Sequence, residues 1–282
     1  MTIPPSVQSA LFYSGQALVV SAEQLLLLFG PILLIAAAMH LLAATIRVRA
    51  AKLMGEKVHI WLTAPGTVVH ELGHALFCVL FGHKIRDISL FRPRANGVLG
   101  YVKHSWNRKN LYHNIGNFFI GSGPIWLGSA LIVLVSFALF GTELWQPLRA
   151  IHSVPTDFVT WRGQLRLGSE FWQALLALFA QIHVARLYND WHFYLGLYLL
   201  FCIGSHVTLS SADLQGAGSG LVTLTILVFV FNLATLWLGN FALAACLNIA
   251  HFGALLTVLL LFALTLNLAV AGLLILLTCF SR

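Results

Sequence analysis

Charged side chains are scarce in this chain. Only 9% of its 282 residues are Asp, Glu, Lys or Arg, whereas hydrophobic residues make up 59%. A soluble domain of ordinary composition carries about 25% charged residues. The chain therefore lacks the charge needed to cover a water-facing surface. This shortage predicts a multi-pass integral membrane protein in contact with the lipid bilayer, built from helices that satisfy their own backbone hydrogen bonds.

Cysteine is also rare, and the four cysteines do not form a motif. Cys78, Cys202, Cys246 and Cys279 all lie in apolar runs, and no two of them form a Cys-x-x-Cys pair. This pattern is typical of small buried side chains. It argues against a disulfide framework and against a metal site built from cysteines.

The net charge of +7 is concentrated in one connection between apolar segments. Seven of the sixteen Lys and Arg residues fall between Lys84 and Lys109. Basic loops beside apolar segments follow the positive-inside rule, so this charge needs no nucleic-acid partner and we predict none. The same rule places the connection at 82–109 on the cytoplasmic side of a membrane, which we expect to be a bacterial inner membrane.

The hydropathy pattern predicts an all-α polytopic membrane protein with about six transmembrane helices. Each membrane span needs about 20 apolar residues. Six segments meet this requirement, the last two within a stretch without any charged residue: 25–46, 60–81, 114–140, 191–212, 221–247 and 252–279. The shorter apolar segment at 171–184 is predicted to be an interfacial or buried helix.

The connection at 82–109 has a different composition from the apolar segments. It combines Gly97 and Gly100 with the strand-favouring residues Val98, Tyr101 and Val102, and this mixture predicts a short strand or hairpin. We divide the chain into an N-terminal helix with its basic connection at 1–57, a core at 58–220, and two C-terminal helices at 221–282.

The second apolar segment contains the motif His-Glu-x-x-His at His70, Glu71 and His74. On a helix, residues four positions apart stand on one face, so two imidazoles at this spacing can hold one zinc ion. Glu71 can then accept a proton from a water at the metal. Because an ionisable group at membrane depth usually faces an ion, a partner or a cavity, the motif predicts Zn²⁺ as a cofactor.

A zinc site of this kind needs a third protein ligand, and Asp213 is the leading candidate. It is the only charged residue between Asp190 and Arg282, and it is predicted to lie at the end of the fourth apolar segment. His206 lies seven residues earlier, on the same face if that helix is continuous, and it competes for the third position. Alternatively, His206 orients Asp213 or a metal-binding histidine through a hydrogen bond.

These residues resemble the motifs of the site-2 protease family of intramembrane zinc metalloproteases, in the same order and over roughly 60–220. The His70–His74 motif comes first. The segment Leu-Gly-Tyr-Val-Lys at 99–103 is similar to the family's Gly-Gly-Tyr-Val-Lys, which lies in a re-entrant β-loop. Gly-Pro-Ile at 123–125 is similar to the family's Gly-Pro-Leu. Asp213 stands where the family's Leu-Asp-Gly motif supplies the third zinc ligand.

The resemblance implies hydrolysis of a peptide bond in or near a transmembrane segment of a membrane-protein substrate. Glu71 would be the catalytic residue, and Gly100, Tyr101 and Val102 would bind the extended substrate by edge pairing. The family places an asparagine at the position of Leu127, and Asn117 on the same segment is predicted to supply a polar contact instead. The oligomeric state and the identity of the substrate stay open.

Two alternatives use the same motif differently. A metalloprotease of the type that trims prenylated proteins would take its third ligand from a glutamate, for which Glu170 is the candidate, although Ala174 stands where an acidic partner is expected. A non-catalytic metal transporter or scaffold is the other alternative. A transporter usually has polar groups on several spans, whereas the last two predicted spans offer a few asparagines, one histidine and scattered hydroxyls.

Overall fold

The computed structural model describes residues 5–94, 97–141, 161–239 and 241–280. The structure is 82% helical and contains a small antiparallel sheet of two strands. The described elements, in chain order, are helices α1 (Pro5–Met54), α2 (Glu56–Leu62) and α3 (Ala64–Leu80), strands β1 (Lys84–Ser89) and β2 (Tyr101–Ser105), and helices α4 (Leu111–Gly121), α5 (Gly123–Phe140), α6 (Trp161–Val184), α7 (Trp191–Gly204), α8 (Ser211–Thr235) and α9 (Phe241–Phe280).

The predicted helical membrane protein is confirmed, but the number of spans is not. Among the described residues, four helical stretches are long and apolar enough to cross a membrane: Ser9–Met54, Gly123–Phe140, Ser211–Leu238 and Thr257–Phe280. The second and fourth predicted spans correspond to α3 and α7, which have 17 and 14 residues. At 1.5 Å per residue these helices extend roughly 26 Å and 21 Å, which is less than the roughly 30 Å of a hydrocarbon core.

Several apolar segments are interrupted where hydropathy shows no break. The predicted segment 60–81 changes helix at Thr63, and the segment 114–140 changes helix at Ser122. In both cases a proline, Pro65 or Pro124, lies within the first two positions of the new helix, where its missing N–H is not needed. The predicted span 191–212 is wrong at its end, since α7 stops at Gly204 and α8 begins at Ser211.

The basic connection contains the predicted hairpin. Strands β1 and β2 are antiparallel, with Ile85 opposite His104 and Ser89 opposite Tyr101, and an irregularity lies between Ile85 and Asp87. Among the described residues β2 pairs only with β1, so the second edge of β2 carries unpaired backbone groups.

Helix α3 lies at the centre of the region that contains the motif. It packs against α4, α5 and α7, and both hairpin strands contact it. Helix α4 packs closely along α8, where a Cβ atom added to Gly121 would lie 2.5 Å from the carbonyl oxygen of Asp213, and one added to Gly220 would collide with the backbone of Phe118. These glycines allow the start of α8 to approach α3.

Candidate metal centre

His70 and His74 face one another across one turn of α3. Their ring centroids lie 5.0 Å apart and their Nε2 atoms are separated by 3.3 Å. This is the arrangement expected for residues at i and i+4 on a helix, whose side chains stand one above the other. Both imidazoles therefore direct the same ring nitrogen at a common point.

Backbone carbonyls determine which nitrogen of each ring carries the proton. The Nδ1 atom of His70 lies 3.0 Å from the carbonyl oxygen of His206, and Nδ1 of His74 lies 2.7 Å from that of Ile120. A carbonyl oxygen can only accept, so each Nδ1–H donates. In the neutral rings both Nε2 atoms then carry lone pairs, and these lone pairs face each other.

Asp213 brings a carboxylate to the same point from the first turn of α8. Its Oδ1 lies 3.2 Å from Nε2 of His74, and its Oδ2 lies 3.7 Å from Nε2 of His70. Asp213 also closes a capping box with Ser210: Ser210 N–H donates to Oδ2 at 2.8 Å, and Asp213 N–H donates to the Ser210 hydroxyl at 3.2 Å. The helix start therefore holds the carboxylate in place.

The three side chains together fit a tetrahedral cation. Among the described residues, His70, His74 and Asp213 are the group of His, Cys, Asp or Glu whose ligand atoms all lie within 4.8 Å of one another. Metal–ligand bonds of about 2.0–2.1 Å place tetrahedral ligand atoms roughly 3.3 Å apart. Three acceptor groups at this spacing, with no donor between them, are what a zinc-sized cation requires.

Glu71 lies beside this group, in a cavity of about 530 Å³. Its side chain is buried, with 8% of the residue exposed, and no described residue hydrogen-bonds its carboxylate. Gly100 passes directly over it: a Cβ atom at Gly100 would lie 2.6 Å from Cγ of Glu71 and 2.8 Å from the carbonyl oxygens of Ser89 and Leu90. Only glycine lets the hairpin approach Glu71 this closely.

The other predicted substrate-binding residues also line the cavity, in different ways. Gly100, Tyr101, Val102 and Asn117 all contribute to its wall, whereas Leu127 does not. Asn117 is 6% exposed, and its amide has no hydrogen bond to any described residue. The Tyr101 hydroxyl is engaged within the hairpin connection, where it donates to Asp87 at 2.8 Å and accepts from Arg94 at 3.2 Å.

His206 occupies a different position from the one expected. It follows the end of α7 rather than sharing a helix with Asp213, so the prediction of a common helix face is wrong. Its ring Nε2 lies 3.2 Å from the Thr67 hydroxyl, and its Nδ1 lies 3.0 Å from the carbonyl oxygen of Cys202. Its backbone carbonyl, not its ring, contacts the metal-binding group, through His70.

Glu170 lies outside the candidate metal-binding group, whereas His104 lies in the wall of the cavity beside it. Glu170 lies on α6, which packs against α9 and the turn Leu187–Asn189, and it does not belong to the three-residue group. His104, which the sequence analysis did not single out, lines the cavity. The alternation of Val102, His104 and Trp106 along a strand would have placed these three on one face.

Comparisons with protein-family models, with curated proteins and with solved structures give no match. The similarity to the site-2 protease family therefore rests on the motifs in the sequence.

Proposed function

We propose that this protein is a zinc-dependent intramembrane endopeptidase of the site-2 protease type. One observation carries the proposal: two imidazole lone pairs and a carboxylate converge at 3.2–3.7 Å, beside Glu71, in a cavity of a largely apolar helical protein. Two histidines and one carboxylate leave a fourth position open, as catalytic zinc sites do.

His70, His74 and Asp213 would hold the metal, and Glu71 would move the proton. Zinc bound there supplies a Lewis acid that acidifies water and polarises a carbonyl. The Glu71 carboxylate, which has no competing hydrogen bond from a described residue, accepts the proton of the attacking water and returns it to the leaving amine. Burial of Glu71 against Gly100 keeps this carboxylate close to the substrate path.

The substrate class follows from the edge of the hairpin. The outer edge of β2 carries backbone groups that an extended peptide can pair with, and Gly100, Tyr101 and Val102 bring that edge to the cavity. A transmembrane helix of a substrate protein would have to unwind locally before it could bind in this way. Asn117, which also lines the cavity, would offer its amide to the bound peptide.

The proposal includes a placement in the membrane. About six spans, with the hairpin as a re-entrant loop, would bring the motif to membrane depth. The hairpin and its flanks contain seven basic residues between Lys84 and Lys109, which favours a site open to the cytoplasmic side of a bacterial inner membrane.

The test combines zinc analysis with a cutting assay. Purified protein in detergent is expected to contain about one zinc per chain. After co-reconstitution with a panel of doubly tagged single-pass membrane proteins, the wild type is expected to cut at least one member. Glu71→Gln should reduce cutting by at least about 100-fold because it removes the base, while zinc content stays unchanged.

Two results would contradict the proposal. Wild-type protein that takes up no zinc after reconstitution with the metal would leave the site without its cofactor. Zinc uptake into proteoliposomes by the wild type, lost in Glu71→Gln, with no panel member cut, would identify a metal transporter instead.

A further inference from the structure

His104 is a cavity residue to which the chemistry described above gives no role. It lies on β2 between Val102 and Trp106, and all three line the cavity with the metal-binding group. Alternate residues of a strand point to the same face. His104 therefore stands on the cavity side of the same strand whose edge is proposed to bind substrate.

A second histidine, His83, determines the tautomer of His104. His83 follows α3 directly and is buried, with 5% of the residue exposed. Its Nε2 lies 2.9 Å from the carbonyl oxygen of His113 and must donate there, since a carbonyl only accepts. In a neutral His83 ring, the lone pair is then on Nδ1.

The hydrogen bond between the two rings then decides which nitrogen of His104 carries the proton. Nδ1 of His83 and Nδ1 of His104 lie 3.0 Å apart. Because His83 accepts at this atom, His104 donates its Nδ1–H, and its lone pair is left on Nε2. The ring of Trp106 stacks on His83 with an interplanar angle of 9° and supports the pair.

The pKa shifts of both rings favour the neutral form that this assignment requires. The hairpin and the residue before it lie outside the four candidate spans. Burial lowers the pKa of His83. Burial, reinforced by the nearby His83 and His74, lowers the pKa of His104 to about 4.

His104, a residue of the cavity wall, therefore carries a hydrogen-bond acceptor at Nε2. No described residue hydrogen-bonds Nε2 of His104. An extended peptide brings backbone N–H groups into the cavity, and each N–H that leaves water without a partner destabilises the complex. We infer that Nε2 of His104 accepts a backbone N–H of the bound substrate, and that His83 is a positioning residue that fixes the tautomer needed for this. The inference rests on the proposed protease function.

A pair of amide variants separates substrate binding from a structural role. In His104→Asn the side-chain amide can still donate to His83 but does not reach the position of Nε2. In His104→Gln the amide oxygen reaches that position, while the bond to His83 is lost. We expect kcat/KM to fall on the order of 10- to 100-fold in His104→Asn and to stay within about 3-fold of wild type in His104→Gln.

If the inference is correct, the unfolding temperatures of the same two variants rank in the opposite order to their kcat/KM values. His104→Gln, which leaves His83 unpaired, is expected to unfold at a lower temperature than His104→Asn. Both should keep about one zinc per chain. Exposed His40 on α1 supplies the control, since His40→Asn should change neither cutting nor stability.

A spectroscopic readout tests the tautomer without any substrate. With ¹⁵N-labelled histidine, the zinc-loaded wild type should show His104 protonated at Nδ1 and unprotonated at Nε2, with the resonances assigned by loss of signal in His104→Gln. His83→Phe removes the acceptor and should populate the other tautomer.

The outcomes distinguish this inference from the proposed function. Equal cutting by wild type and His104→Asn, or a proton on Nε2 of His104 in the wild type, would overturn the role of His104 while leaving the protease intact. A wild type that cuts no panel member would overturn both.

Discussion

Two polar clusters lie between apolar helices of this protein, and they are built on opposite principles. The first, the candidate metal-binding group, consists of His70, His74 and Asp213. The second, here called the amide cluster, consists of Ser21 and Gln24 on α1 and Asn232 on α8, all at most 4% exposed. Both contain three side chains, and both join α8 to another helix.

The amide cluster satisfies itself. The Asn232 amide nitrogen lies 2.9 Å from both the Ser21 hydroxyl and the Gln24 oxygen, and the Gln24 nitrogen donates to the Asn232 oxygen at 3.3 Å. Ser21 donates in turn to the carbonyl oxygen of Ala17. Each polar group of the cluster therefore has at least one hydrogen-bond partner within the cluster or on α1.

The candidate metal-binding group, in contrast, contains acceptors that none of its own donors can meet. Its two Nδ1–H donors are already used by carbonyl groups, and what remains is two lone pairs and a carboxylate directed at one point. A largely buried set of acceptors with no donor at the point where they converge is unfavourable until a cation fills it. Matched donors and acceptors therefore mark a contact that stabilises the fold, and unmatched acceptors mark a site.

Among the substitutions that test this contrast, one at Asp213 is expected to have the largest effect. Asp213→Ala should lower zinc affinity by more than about 100-fold, since loss of a direct ligand exceeds the loss of a group behind it. Zinc per purified chain, measured after dialysis against a chelator of graded strength, checks this. Cutting should fall in parallel with metal content.

A control is needed because Asp213 also caps α8. Ser210→Ala removes one half of the capping box without touching the carboxylate, and it is expected to destabilise the protein by about 1 kcal/mol with zinc retained. If Ser210→Ala lost zinc as completely as Asp213→Ala, the role of Asp213 would be to position the helix rather than to bind metal.

An intermediate effect is expected at Gly100, which lies against the proposed proton acceptor Glu71 but does not belong to the candidate metal-binding group. In Gly100→Ala the new methyl group meets Cγ of Glu71 and two backbone carbonyl oxygens within 2.8 Å. The hairpin or the Glu71 side chain must therefore shift, and a small displacement of a reacting group lowers activity by about 100-fold. Cutting rates at equal zinc content check this.

Gly97→Ala serves as the matched substitution for Gly100→Ala. It lies in the same connection at a positive φ of 81°, and a Cβ atom added there would lie 3.9 Å from an Arg47 side-chain nitrogen. It should strain the turn but leave the site unchanged. Equal loss of cutting in both variants would show that the hairpin as a whole, not the approach to Glu71, is sensitive.

The sequence predicted local features of the site better than its long-range ones. The facing of His70 and His74 follows from helix geometry alone, and the hairpin follows from strand-favouring residues around glycines. The position of Asp213 at a helix start did not follow, because the predicted span 191–212 ran through the break between Gly204 and Ser211.

Contacts between residues that are distant in the sequence could not be predicted either. His83 and His104 are 21 residues apart, and their contact depends on hairpin register. Gln24 and Asn232 are 208 residues apart, and their contact depends on how α1 packs against α8. Neither pair has a spacing that marks it, so only the tertiary structure brings them together.

The smallest effect is expected in the amide cluster, and it should be on stability alone. Asn232→Leu removes the hydrogen bonds from Asn232 to Gln24 and Ser21 and is expected to destabilise the protein by about 1–2 kcal/mol, as interhelical hydrogen bonds in membranes contribute modestly. Denaturant or thermal unfolding in detergent measures this. Asn232 lies on the same helix as Asp213, 19 residues away, which is roughly 28 Å along the axis. Zinc content and the cutting rate of folded protein should therefore not change.

Asn267 on α9 supplies the matched control for Asn232. It is also buried, at 1% exposed, but its side-chain oxygen has no hydrogen-bond partner in the described part of the chain, and its nitrogen donates only to the carbonyl oxygen of Ala263 within its own helix. Asn267→Leu removes no hydrogen bond between helices of the described part of the chain and should be less destabilising than Asn232→Leu. If the two substitutions were equally destabilising, burial of an amide rather than the matching of donors and acceptors would explain the result, and the contrast between the two clusters would lose its basis.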